Sequence, residues 1–171
     1  MNKLEELNKK ADATKSDDRQ YVTFIIGEEN YGVEVLRVQE IIGMTQIIHV
    51  PNSIDFMKGV INLRGAVVPV VDMRLRFRMQ EREYDMFTVI IIVEVRNRMI
   101  GMIVDSVSDV VDIGESTIQD TPHFTAKIET DFIKGIGQVD GKLVIILDID
   151  KILSTGDLEK MTQEEARGED D

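Results

Sequence analysis

The chain has no cysteine and no tryptophan, and only three prolines and two histidines among its 171 residues. Without cysteine there is no disulfide framework, no thiolate nucleophile and no cysteine-ligated zinc, which fits a reducing compartment. His49 and His123 each lack a Glu, Asp or second His at ligand spacing, and no Gly-x-Ser-x-Gly elbow accompanies them. Histidine metal centres and hydrolytic triads therefore find no support. Long apolar runs are missing too: no stretch reaches the roughly 20 residues of a membrane-spanning helix. The opening MNKLEELNKKADATKSDDRQ has no apolar signal region. These absences lead to the expectation of a cytoplasmic protein without catalytic machinery, cofactor, metal or direct membrane insertion.

What is present is acidic and aliphatic. The formal net charge of −12 is unevenly spread, neutral over residues 1–20, −7 over 21–153 and −5 over 154–171. Such a balance opposes nucleic acid and anionic lipid unless basic groups are concentrated locally. The 43% hydrophobic content comes mainly from Ile, Val, Leu and Met, with few aromatics. β-Branched side chains favour pleated, half-buried surfaces. The length suits one domain, or two small subdomains sharing a core.

Residues 1–18 read as a mobile polar tail, 19–153 as the folded domain and 154–171 as an acidic tail or frayed helix. Tyr21 to Ile26 reads as a strand, and Gly27 to Asn30 as a turn into a second strand. Leu36 to Ile42 fits either a short helical turn or a continuing strand. Val60 to Asn62 and Ala66 to Val71 flank the Arg64-Gly65 turn, with Pro69 implying an edge or a bulge. Met73 to Met79 alternates strictly and predicts a strand with one core face and one basic face. Phe87 to Val95 and Met99 to Val104 form a hairpin around Arg96-Asn97, and Asp140-Gly141 marks another before Leu143 to Leu147. A short helix begins near Asp150. Many short strands suggest small barrels, the first from about 20–85, the second from about 86–140, with the C-terminal segment packing back. No repeat of fixed period is evident.

Asp72, Asp105, Asp109, Asp112, Asp148 and Asp150 lack the spacing of a calcium loop or a catalytic carboxylate pair, so solvated or capping roles are expected. The glycines at 59 and 65, or 135 and 137, lack the following Gly-Lys-Ser/Thr or third glycine of a phosphate cradle and read as turn and packing positions. Arg74, Arg76 and Arg78, continuing to Arg82, form the one basic stripe. It opens three readings: a single-stranded nucleic-acid groove, a charged edge that blunts aggregation, or a site for an acidic protein. Phe77 lies on the opposite face of that strand, which removes the stacking aromatics the first reading needs. Arg64 sits inside an apolar stretch and calls for a carboxylate partner, for which Glu40 in VQEII is the candidate.

YGVEVLRVQEI (31–41), GVINLRGAVVPVVDMRLRF (59–77), IGMIVDSVSDVV (100–111), DFIKGIG (131–137) and LVIILDIDKIL (143–153) together resemble the bacterial chemotaxis coupling proteins of the CheW family. The resemblance covers roughly residues 18–155; MQEREYDM (79–86) and the acidic C-terminus lie outside the shared pattern. It implies an all-β fold of two packed five-stranded SH3-like barrels with a few short helices. It also implies an adaptor that joins the cytoplasmic tips of methyl-accepting chemoreceptors to the regulatory domain of the histidine kinase CheA. Carried over by position, Val38, Ile41, Ile90, Gly101, Val107 and Val110 would contribute to an apolar receptor-facing groove. Glu40 and Arg64 would form the polar pair that couples to the kinase, with Gly59 and Gly65 serving close packing. A paralogue serving a non-flagellar array is an alternative that the same residues allow.

Overall fold

The structure is a computed structural model that describes residues 18–120 and 131–161. In chain order it contains β1 (Asp18–Ile26), β2 (Glu29–Glu34), a 3-10 turn (Val35–Arg37), β3 (Val38–Gly43), β4 (Met57–Leu63) and β5 (Ala66–Asp72). There follow α1 (Met73–Arg76), β6 (Val89–Val95), β7 (Arg98–Val104), β8 (Ser106–Gly114), a second 3-10 turn (Glu115–Thr117), β9 (Ile133–Val139), β10 (Lys142–Leu147) and α2 (Ile149–Ile152). A further helical segment spans 155–161. None of the described helices is long and apolar enough to cross a membrane.

Local chemistry sets the hairpins. Arg64-Gly65, Arg96-Asn97 and Asp140-Gly141 each place both central residues at positive φ, between +50° and +89°. That conformation matches the twist of the flanking strands in two-residue turns. The strands assemble into two five-stranded sheets, β8-β1-β2-β10-β9 and β3-β6-β7-β5-β4, each with one parallel pair, β2 with β10 and β5 with β7. The all-β class and the two five-stranded units agree with the expectation from sequence. Each unit is a curved sheet and not a closed barrel. Its ends are drawn together by one isolated bridge, Ile48 to Val60 (2.8 and 2.9 Å) and Gln119 to Ile136 (2.9 and 2.8 Å).

Three expectations need correction. The sheets are not consecutive halves divided near residue 85: the second is continuous from β3 to β7, whereas the first takes β1 and β2 from one end of the chain and β8, β9 and β10 from the other. Met73 to Met79 is not a strand, because the buried Asp72 carboxylate accepts from the amides of Arg74 and Leu75 and starts α1. Its arginines accordingly disperse, Arg74 to Asp105 and Arg76 to the carbonyl of Ile152, so no basic stripe exists to hold a nucleic acid. Nor is the segment after Ser154 wholly peripheral, since Leu158 and Met161 are buried and Arg98 donates to the Leu158 carbonyl at 3.0 Å. Of the expected tail over 1–18, Asp18 already begins β1, while residues 1–17, with His123 and residues 162–171, lie outside the described residues. The choice left open at 36–42 resolves into one 3-10 turn followed by β3. Pro69 is interior to β5, but it precedes Val70, where pairing to β7 begins.

The two sheets repeat one another. Segments 56–76 and 132–152 correspond residue for residue: Phe56 with Phe132, Lys58-Gly59 with Lys134-Gly135, the turn Arg64-Gly65 with Asp140-Gly141, and the helix cap Asp72 with Asp148. Segments 31–42 and 100–111 match likewise, both crossing from a hairpin into an edge strand, β3 or β8. This duplication was missed in the sequence because its members lie too far apart and share too few identities to show as a period.

Arg76 stands where the duplicated segments meet. Its guanidinium carbon lies 5.5 Å from the ring centre of Phe56 and 5.3 Å from that of Phe132, and Nε donates to the Ile152 carbonyl at 2.6 Å. Phe132 continues a stack through Phe77 and Tyr31 to Phe24, with centroids 4.9, 5.3 and 6.0 Å apart. Replacing Arg76 by Ala removes both ring contacts and orphans a carbonyl. The expected cost is about 2 kcal/mol, read as a fall of roughly 5 °C in thermal midpoint by circular dichroism. An unchanged midpoint would contradict this role.

Two bidentate ion pairs tie the short helices to the connections between sheets. Arg74 on α1 binds Asp105 at 2.9 and 2.7 Å, and Asp105 also accepts from the Gly27 amide at 2.9 Å. Arg37 binds Asp150 on α2 at 3.1 and 2.6 Å. Burial pushes the Asp105 carboxyl up, but the hydrogen bonds from Arg74 and the Gly27 amide, with the charge of Arg74, leave it below the ordinary range. The Arg37 hydrogen bonds lower Asp150 as well. A carboxylate depressed in the folded state contributes stability that is present above its unfolded pKa and lost as pH falls through its folded one. Urea unfolding should therefore show stability flat down to about pH 4.5 and declining below it, with a shallower acid limb in Asp105→Asn.

Candidate docking surface

Val38 and Ile41 lie on β3, and Val107 and Val110 on β8, at matching positions of the two quasi-equivalent edge strands. Val38 and Val110 are buried in the apolar cluster between the sheets, while Ile41 and Val107 pack against it and stay partly exposed. These four of the six expected groove residues thus share one cluster. The other two do not reach the surface. Ile90 is fully buried on the inner side of the second sheet with Ile61, Val70 and Ile92, and Gly101 is buried in the ladder between Ile92 and Val70. The cause is that β6 is covered on both faces, Ile91 and Val93 turning to the shared cluster and Ile90 and Ile92 to the sheet's own interior.

A residue that was not among the expected groove positions is the most available apolar group near β3. Leu36, in the 3-10 turn just before Val38, is 85% exposed. The apolar periodicity of 36–42 gave no sign of this, because one 3-10 turn rotates Leu36 away from the face its neighbours bury.

Glu40 and Arg64 do meet. Arg64 donates from Nη1 to Oε1 at 3.0 Å and from Nη2 to Oε2 at 2.8 Å, a two-pronged contact between β3 and the β4–β5 turn. The hydrogen bonds from Arg64 hold the Glu40 carboxyl below the usual carboxylate range, so it stays ionised at neutral pH. The pair is not beside the core, as its apolar sequence context suggested: the Arg64 side chain is 70% exposed, on a residue at φ +51° at the tip of the hairpin. An exposed pair of this kind contributes little to stability, on the order of 0–1 kcal/mol. It leaves a fixed polar feature beside Val38 and Ile41, with Glu40 on their strand and Arg64 reaching it from the β4–β5 turn.

The two glycines have different reasons. At Gly59, φ is +149° and an added Cβ would lie 2.1 Å from the Ile48 carbonyl oxygen, the acceptor of the bridge that draws the second sheet together. Gly65 has φ +89° in the turn with open space around it, so it serves turn geometry and not the close packing expected of it. Asp72 and Asp148 cap helices and Asp105 and Asp150 form ion pairs, and no group of three or more metal-ligating side chains converges among the described residues.

The model of the CheW-like domain family matches residues 20–157. The chain is 38% identical over 140 residues to the chemotaxis protein CheW of Klebsiella aerogenes, covering 82% of this chain and 84% of that one. It is 35% identical over 137 residues to a probable chemotaxis protein CheW of Rhizobium etli, covering 80% and 88%. The crystal structure of the scaffolding protein TtCheW from Thermoanaerobacter tengcongensis is similar with a TM-score of 0.75 at 34% identity, over 82% of this chain and 95% of that one.

The contrast between the glycines can be measured. Gly59→Ala should destabilise by more than about 3 kcal/mol, since backbone must move. Gly65→Ala should cost about 1 kcal/mol, from left-handed φ alone. Equal urea midpoints for the two variants would refute the assignment.

Proposed function

This chain belongs to the CheW-like family, and we propose that it is the adaptor coupling the cytoplasmic tip of methyl-accepting chemoreceptors to the regulatory domain of the histidine kinase CheA. It works by contact alone, transferring no chemical group, and is held at receptor arrays through protein partners. The observation that carries this reading is the adjacency, around β3, of an apolar and a polar element. Leu36, Val38 and Ile41 supply the apolar side, and Glu40 with Arg64 the polar one. Receptor tips would engage the apolar side together with Val107 and Val110, and the kinase would read the ion pair.

Physical chemistry supports the division. Binding energy concentrates in a few apolar anchors seated on a rigid support, and a charge pair at the rim sets orientation and partner choice more than affinity. Val38 and Val110 supply support from within the core, while Leu36, Ile41 and Val107 offer surface. Substituting Val38 by a charged residue would mix a folding defect with a docking one. Leu36 avoids that difficulty.

Binding of purified CheA regulatory domain to the immobilised protein tests the central claim, and absence of binding at micromolar concentration would refute it. Leu36→Asp should retain the parental melting profile and lose about tenfold in affinity for a receptor cytoplasmic fragment. Arg64→Ala should stay within about 1 kcal/mol of parental stability yet fail to support kinase activation in a reconstituted array. If Arg64→Ala instead unfolds the protein, or activates the kinase normally, the coupling role of the ion pair is wrong.

A further inference from the structure

The two ion-pair clasps occupy quasi-equivalent places with their charges exchanged. Arg74 and Asp150 are corresponding second residues of α1 and α2, each following its helix-cap aspartate and first helical residue. Their partners, Asp105 and Arg37, lie in the two corresponding connections that leave a hairpin for an edge strand, β7 to β8 and β2 to β3. In one clasp the cation is on the helix; in the other it is on the connection.

The exchange matters because the surrounding framework barely distinguishes the two hairpin–helix segments. β5 runs parallel to β7 and β10 parallel to β2, with Val70 opposite Gly101 and Ile146 opposite Gly32. Both acceptor strands thus offer a glycine to the incoming aliphatic side chain. Both segments carry a phenylalanine, a Lys-Gly pair, a two-residue turn and a capping aspartate at matching positions. Apolar pattern and backbone geometry would let segment 56–76 dock on β2 and segment 132–152 on β7. In that arrangement Arg74 would face Arg37, and Asp150 would face Asp105. In each such contact one partner is well shielded, Arg74 at 16% and Asp105 at 14% exposed, against 31% for Arg37 and 48% for Asp150, so solvent would screen the like-charge contacts only in part.

We propose that the opposite polarity of the two clasps is an assembly code that assigns each hairpin–helix segment to its own sheet and disfavours the exchanged pairing. Discrimination here rests on a repulsive element in the wrong arrangement as much as on attraction in the right one. Native clasp strength and assignment are separable properties. An ion pair kept for strength alone would work with the same polarity in both places.

Because the chain has no cysteine, a disulfide can report the exchanged arrangement directly. Val144 pairs opposite Asn30 in the native ladder, and Val68 is the residue corresponding to Val144. Asn30→Cys with Val68→Cys therefore places two thiols on different sheets that come opposite one another only if the segments exchange. In this background four chains are refolded from urea under oxidising conditions and the cross-link is quantified by mass spectrometry. They carry the parental clasps, the neutral pair Arg37→Gln/Asp150→Asn, the recoded pair Arg37→Asp/Asp150→Arg, and the recoded pair joined by Arg74→Asp/Asp105→Arg. Recoding makes native and exchanged pairings both attractive, and the cross-link should rise about fivefold over the neutral chain. Inverting both clasps restores the discrimination and should return the cross-link to the parental level. Equal yields in the recoded and neutral chains would overturn the proposal. So would a recoded chain that fails to refold and is not rescued by inverting the second clasp.

Discussion

The structure depends on one apolar cluster that belongs to neither sheet alone. Val22, Phe24, Ile26 and Val33 enter it from the first sheet, and Val71, Ile91, Val93 and Met102 from the second. Ile149, Ile152, Leu153, Leu158 and Met161 close it from the C-terminal helices. Burying a side chain of this size contributes about 1.5–3 kcal/mol, far more than an exposed ion pair. Each sheet has only a small interior of its own, so neither is well supported without the other. The candidate docking strands inherit their rigidity from this arrangement. Val38 and Val110 are held in the cluster, and their neighbours Ile41 and Val107 are thereby fixed at its margin.

The chain path follows from the same constraint. A sheet completed by both ends of the chain cannot drift apart from the sheet made by its middle, because the connections are short: a single 3-10 turn before β3 and Asp105 alone between β7 and β8. Asp105 uses that position fully. Its amide donates to the Ile25 carbonyl, and its carboxylate takes the Gly27 amide and Arg74, so one residue joins a hairpin of the first sheet to the helix that follows β5 of the second.

Much of this was legible in the sequence where one local rule decided the outcome. The Asp-Gly and Arg-Gly turns and the all-apolar VIIIV run of β6 gave hairpins and a buried strand, as backbone twist and two-sided burial require. Segment 73–79 misled because strict alternation of Arg with apolar residues satisfies a period of two. A capping carboxylate three residues or fewer upstream outweighed it, and four helical residues are too few to show a period of their own. Glu40 was the right partner for Arg64, but for a reason the structure does not support, since apolar neighbours in sequence did not place the guanidinium near the core. Ile90 and Gly101 matched by position and still fell inside the second sheet. A family pattern preserves the residues that shape a surface along with those that form it.

The duplication bears on what the exposed ion pair is for. Glu40 on β3 and Arg64 on the β4–β5 turn correspond to Asp109 on β8 and Asp140 on the β9–β10 turn, where two acids stand and no such pair can form between them. The first sheet nevertheless has the same strand order, the same turn conformation and the same closing bridge as the second. The architecture therefore does not need an ion pair at this place. The fold omits this feature in one copy, and in the other its arginine lies mostly in solvent. That contrast is the physical ground for the proposals that Glu40 and Arg64 serve recognition and that the clasps at Arg74 and Arg37, one in each copy, serve assembly.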